Sequence, residues 1–268
     1  MSDSENNKSE MSFLEHLEVL RWHLVRASIV VCVFTIVIFS FPTFVFDKII
    51  LAQKQSDFCT YEFFCKLSHW LGKGDTLCMG EINFDLINIE MSGQFTMHIM
   101  VSIIGGLIVA FPYLLFEIWK FISPALAEKE RKYAQRLIFS GSFLFAIGIL
   151  FGYYIISPFS VQFMGNYQVS ELVKNQISLD SFISTVTTVT LASGLIFQLP
   201  LIIYFLSKVG IVTPEFLRKY RKYAIVIILI VSAILTPPDV MSQILMAIPL
   251  LILYEFSIFV SKRVVNSK

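Results

Sequence analysis

Tyr223–Leu235 reads YAIVIILIVSAIL and runs straight into Thr236-Pro237-Pro238-Asp239. As a helix this block reaches only about 20 Å at 1.5 Å per residue, short of the ~30 Å hydrocarbon core of a bilayer. Neither proline can continue a helix without losing a donor, so a turn is forced at that point. The block therefore reads as one arm of a hairpin whose other arm is Ser242–Val260. So short an arm implies a locally thinned bilayer or shielding by a partner.

Four longer apolar blocks lie upstream, at Leu24–Phe46, Gln94–Ile118, Leu137–Ile156 and Phe182–Leu206. With the hairpin they make six candidate spans. Of the 268 residues 56% are hydrophobic and 15% charged, with 26 phenylalanines, which no soluble domain of this length could cover with polar surface. The blocks lack the ~10-residue alternation of a barrel strand, so the spans are helical and the fold class is an all-α membrane protein. A net charge of +1 without a basic domain excludes a nucleic-acid binder. Asp3, Glu5, Glu10, Glu15 and Glu18 crowd the first 25 residues, which contradicts a cleavable signal peptide. The expected organisation is a single polytopic domain over 1–268, with an amphipathic N-terminal segment (1–23), a long outer loop (47–93) and a short tail (261–268). Pro112, Pro200 and Pro249 each predict a kink.

Lys and Arg set the orientation. Sixteen of the 21 fall in the N-terminal segment, the second and fourth connections and the tail, and five in the connections facing the other way. Both termini are therefore expected in the cytoplasm. The outer loop holds Cys59, Cys65 and Cys78, which an oxidising compartment would allow to form one disulfide with one thiol left over. Their spacing, with His69, is a poor zinc pattern, and no metal or cofactor is expected.

No P-loop, catalytic triad or zinc-protease pattern occurs, so no enzymatic activity is expected. What remains is a set of polar groups in places where a membrane makes them costly. Ser12-Phe13-Leu14-Glu15 has the form of a capping box, followed by Phe13, Leu17, Leu20 and Leu24 on one helical face. Glu117 is expected to snorkel, or to pair with Lys120 or an arginine. Thr187, Thr190, Gly194 and Gln198 share one face of span four, pointing into protein or a wet cavity. Gly148-x-x-x-Gly152 reads as close helix packing within the chain. Glu255 would be satisfied by Lys262 or interface water. At this level two classes stay open: a proton-coupled transporter of a small solute, and a docking or channel component for other proteins.

From His16-Leu17-Glu18-Val19-Leu20-Arg21 onward the chain resembles the TatC family, the signal-peptide receptors of the twin-arginine protein translocase. The resemblance continues through Phe111-Pro112-Tyr113, Phe121-Ile122-Ser123-Pro124-Ala125-Leu126 with Glu130-Arg131, and Gly194 to Pro200. It extends over Gly210 to Glu215, Leu235-Thr236-Pro237-Pro238-Asp239-Val240, and Gln243 to Pro249. It implies a receptor for folded proteins carrying a twin-arginine signal, working with TatA/TatB-type single-span partners on the proton-motive force, in contact with membrane lipid and as a homo-oligomer in the bacterial inner membrane. The implied signal-binding residues are Glu130, Glu18, Arg21, Phe121, Pro124 and Arg131. Gln198, Thr236 and Gln243 would meet the partner helix, and Pro237, Pro238 and Asp239 would shape the outer hairpin. The chain departs from the family at Val19 and Gln198, where glutamate is usual, at Glu117, where glutamine is common, and around Ala52-Gln53, where a proline is missing.

Overall fold

The structure, a computed structural model, describes residues 13–55, 57–70, 72, 84–122, 134–168, 170, 175–236 and 240–266. Among these, five helical stretches are long and apolar enough to cross a membrane: Leu17–Phe39, Gly93–Ile122, Leu137–Asn166, Leu179–Val209 and Ser242–Val265. The remaining arm, Arg221–Leu235, has 15 residues and about 22 Å of reach, so it stays the short member that its sequence predicts.

Helix α1 runs unbroken from Phe13 to Phe39. The amphipathic segment and the first span are thus one helix, which starts well before Leu24 and stops well before Phe46. The stop is local chemistry: Phe41 precedes a proline and leaves the helical region (ψ 58°), and Pro42 opens the short α2, Pro42–Val45. A π-turn (Phe46–Ile50), a 3-10 turn (Leu51–Lys54) and α3 (Cys59–Trp70) follow. The second span is α4, Gly93–Ile122. The third comprises α5 (Ala134–Phe151), a π-turn at Gly152–Ile156 and α6 (Ser157–Asn166). The fourth divides into α7 (Leu179–Ile196) and α8 (Leu199–Val209). The short α9 (Pro214–Lys219) leads to α10 (Arg221–Leu235), and α11 runs from Val240 to Asn266.

Of the three prolines expected to kink, only Pro200 sits at a break. It occupies the first turn of α8, where its missing N–H costs nothing, after Phe197 and Gln198 have closed α7. Helices α4 and α11 continue through Pro112 and Pro249. Unforeseen from sequence is a parallel pair of three-residue strands, β1 (Asp85–Ile87) and β2 (Gln176–Ser178), with Asp85 opposite Gln176. Each strand leads into a descending span, α4 or α7, so the ladder places those two helices side by side.

Lipid tails are as apolar as leucine, so the helices associate through close packing rather than through a hydrophobic driving force. Small residues supply the approach. A Cβ on Gly106 would lie 2.8 Å from the Thr35 backbone nitrogen, so α1 and α4 approach closely there. Gly148 and Gly152 do the same for α5 against α7, meeting Ser193, Gly194 and Thr190, so the small-residue motif does pack within the chain. One buried cluster (Val189, Ile203, Ile228, Leu250, Ile258) joins span four to the hairpin. A second (Ile50, Phe84, Val101, Phe182, Val186) lies at the ladder end.

Candidate functional site

Away from the ladder, α1 and α4 are tied together by three side chains. The Glu117 carboxylate, 4% exposed, engages His23 Nδ1 through one oxygen and accepts from the Tyr113 hydroxyl at 2.7 Å through the other. The snorkelling or Lys120 pairing expected for Glu117 is therefore replaced by an internal triad, since a desolvated carboxylate needs both oxygens satisfied. With both oxygens engaged, it is not an open receptor for a guanidinium. The Phe121 ring stands edge-on to His23, centroids 6.2 Å apart. Glu18 lies five residues before His23, about 7.5 Å further along the axis of α1.

Glu18 and Arg21 meet at 3.4 Å with both side chains about two-thirds exposed, and the Arg21 guanidinium lies 5.7 Å from the centre of the Trp22 ring. Such an exposed pair holds little energy, so Glu18 remains an accessible carboxylate. Val19, at the family's glutamate position, is half-buried, so Glu18 presents its charge on a different face of α1. Glu130, Pro124 and Arg131 lie outside the described residues, as do Ser12 of the expected capping box and Pro237, Pro238 and Asp239.

The span-four stripe is bonded within the chain, and Thr187 and Thr190 also line a recess of about 740 Å³ beside Val37, Ile38, Ile149 and Tyr153. Thr187 and Thr190 are buried and donate to the carbonyls of Ile183 (2.7 Å) and Val186 (2.6 Å) on their own helix. Gly194 faces Phe145 and Ile149 of α5. Gln198, 6% exposed, donates from Nε2 to the Gly141 carbonyl at 3.0 Å, while its Oε1 is buried without a partner among the described residues. Gln198 thus has one internal bond to α5 and one acceptor left over among the described residues. At the hairpin, Thr236 is buried and donates to the Ser232 carbonyl at 2.8 Å. Gln243 is half-buried and reaches the Leu229 carbonyl at 3.2 Å. Of the three expected partner contacts, Gln243 is the open one. Glu255 pairs with Arg221 at 2.5 Å, in place of the Lys262 or water contact expected.

Gln53, noted in the sequence only for the proline missing around it, is fully buried and organises the ladder end. Its Nε2 donates to the Tyr153 carbonyl (2.9 Å), its Oε1 accepts from Ser157 Oγ (2.7 Å), and its backbone carbonyl accepts from the Tyr61 hydroxyl (2.8 Å). Thr60 Oγ1 donates to the Tyr154 carbonyl at 2.6 Å. The π-turn at Gly152–Ile156 makes this possible, because widening the helix frees carbonyls for outside donors. Burial pushes the Tyr61 hydroxyl far above its ordinary value of 10.0. Cys65 is disulfide-bonded, and Cys59 is a free thiol.

A helical bundle of this kind, with five long apolar stretches, one short hairpin arm and a clasped helix pair at one end, belongs to the class of polytopic membrane proteins. The profile of the Sec-independent protein translocase protein (TatC) matches residues 15–249, and the chain belongs to the TatC family. It is 39% identical over 264 residues to the TatC of Blattabacterium sp. subsp. Periplaneta americana, covering 98% of this chain and 99% of that one. Against the TatC of Aquifex aeolicus the identity is 33%, over 96% and 98% of the two chains. A crystal structure of the twin-arginine translocase receptor TatC superposes with a TM-score of 0.69 at 32% identity, over 94% of this chain and 100% of that one. A second, in the detergent DDM, gives 0.71 at 34% identity, over 91% and 98%. The six-helix TatC-like fold follows, and the solute-transporter alternative has no support.

Proposed function

We propose that this chain is the receptor subunit of a twin-arginine translocase, binding the signal peptides of folded proteins and recruiting TatA/TatB-type single-span partners. The observation that carries the reading is likeness to a translocase receptor over almost the whole chain. The α1–α4 clasp supports it locally, since it puts the Phe121 ring beside the helix that displays Glu18. In this reading the clasped end is cytoplasmic, in line with its Lys/Arg excess. Glu130 is the principal carboxylate for the paired arginines, with Glu18 as an accessory and Arg21, Phe121, Pro124 and Arg131 around it. Guanidinium forks pair bidentately with carboxylates near a low-dielectric surface, which is the physical basis of the preference for arginine. Partners dock at the short hairpin, where Gln243 offers a polar contact beside Thr236, and transport draws on the proton-motive force.

The test is photo-crosslinking of a twin-arginine precursor to the wild-type chain and to Glu130→Ala and Glu18→Ala variants, alongside export of a folded reporter. Glu130→Ala should abolish most crosslinking and export, and Glu18→Ala should reduce both partially. Undiminished crosslinking with normal export in Glu130→Ala overturns the assignment.

A further inference from the structure

We propose that the basic recess between α9, the start of α10 and the end of α11 binds the headgroup of an anionic phospholipid. The recess has a volume of about 440 Å³ and is lined by Arg218, Arg221, Lys262 and Arg263 around a single carboxylate, Glu255. Glu255 neutralises Arg221 at 2.5 Å. Arg218, Lys262 and Arg263 make no ion pair among the described residues, so three positive charges surround an otherwise unfilled hollow. The Arg263 guanidinium lies 5.2 Å from the Phe259 ring centre, a cation–π contact with the apolar lining of the hollow.

The surroundings select a lipid over a soluble anion. The floor is apolar, made by Ile258 and Phe259. Phe259 continues an exposed stripe of α11 through Phe256 and Ile252, the track that acyl chains hanging from a bound headgroup would follow. Tyr220 and Tyr223, both exposed, flank Arg221 on α10, and tyrosine concentrates at the depth of the headgroups. Cationic pockets between spans at that depth hold phosphate-bearing headgroups. An acidic peptide would find the same charges but no use for the exposed apolar stripe.

The experiment is native mass spectrometry of the full chain released from mixed micelles containing equal amounts of cardiolipin, phosphatidylglycerol and phosphatidylethanolamine. The anionic lipids should be retained roughly tenfold over the zwitterionic one, and Arg218→Gln/Lys262→Gln/Arg263→Gln should abolish that preference. Glu255→Gln should increase retention by removing the competing carboxylate. Raising salt from about 50 to about 500 mM should erode the preference of the wild-type chain, a measurement that does not depend on any variant folding. Equal retention of the three lipids by the wild-type chain, or a preference untouched by salt, overturns the proposal. So does displacement of the lipid by equimolar inorganic phosphate or poly-glutamate, which would make the recess a site for soluble anions or acidic proteins.

Discussion

His23 and Glu117 are 94 residues apart in the chain, yet their side chains bond to each other with 11% and 5% of their surfaces exposed. The contact fixes the rotation of α1 about α4 at the end that carries Phe121 and Glu18. A glycine approach lower down, Gly106 against Thr35, brings the two backbones close but leaves that rotation free.

Removing one member of the pair strands the other in a desolvated place. Glu117→Ala and His23→Ala should each destabilise by about 3–5 kcal/mol, with a coupling of about 0.5–3 kcal/mol in the double variant. Glu117→Gln keeps an acceptor for Tyr113 and should cost less than either. Unfolding curves in detergent give all three values, and strictly additive losses would mean the two side chains do not act on each other.

Glycine substitutions should separate by what the new methyl meets. A Cβ at Gly148 would sit 2.8 Å from the Ser193 carbonyl oxygen and 2.9 Å from the Gly194 Cα, and backbone has no room to give. One at Gly105 would meet the tip of the Ile38 side chain at 2.9 Å, which can rotate away. Gly148→Ala should therefore lose about 1–3 kcal/mol or more, and Gly105→Ala clearly less. The melting temperatures of the two variants rank them, and the reverse order would contradict the α5–α7 packing described.

Much of this fold is legible in the residues because membrane helices announce themselves by length and polarity. The apolar blocks, the short arm before Thr236 and the small-residue face at Gly148 needed no tertiary information. Contacts between distant segments did. Nothing near Glu117 names His23 as its partner, and a single histidine on an apolar helix carries no signal of its own. Gln53 sits in a stretch of loop-like composition, and its importance arises only where a π-turn presents free carbonyls. Proline was ambiguous for a related reason: Pro112 and Pro249 are absorbed by continuous helices, whereas Pro200 coincides with a break that Phe197 and Gln198 make. The three-residue strands are too short to leave a periodicity.

Gln198 bonds a carbonyl in α5, residue Gly141, that lies within a helix and does not depend on it. Gln198→Leu should accordingly cost only about 1 kcal/mol, partly offset by removal of the unpaired Oε1. Crosslinks to a single-span partner placed at Gln243 should persist in this variant. Their loss, with stability unchanged, would return Gln198 to the partner interface.

The buried Tyr61 hydroxyl predicts alkaline behaviour. Its folded value is raised above the ordinary 10.0, so the stability linked to it is fully present below pH 10 and is lost as pH climbs from there toward the folded value. Tyr61→Phe deletes both the hydroxyl and its bond to the Gln53 carbonyl. The variant should start less stable at neutral pH and decline less steeply above pH 10 than the wild-type chain. Parallel slopes in thermal melts across that range would show that Tyr61 is not the group responsible.

The strand pair has a mechanical corollary. It staples the starts of α4 and α7 side by side, so any parting of these helices pivots there and not at mid-height. Helix α4, at 30 residues, is a lever about 45 Å long, and a swing of about 5° at the staple becomes about 4 Å of travel at its far tip. Phe121 and the Glu117 clasp ride on that tip. A tug felt there is thus geared down almost to nothing at the ladder, and a slight loosening of the ladder is amplified where α1 and α4 meet.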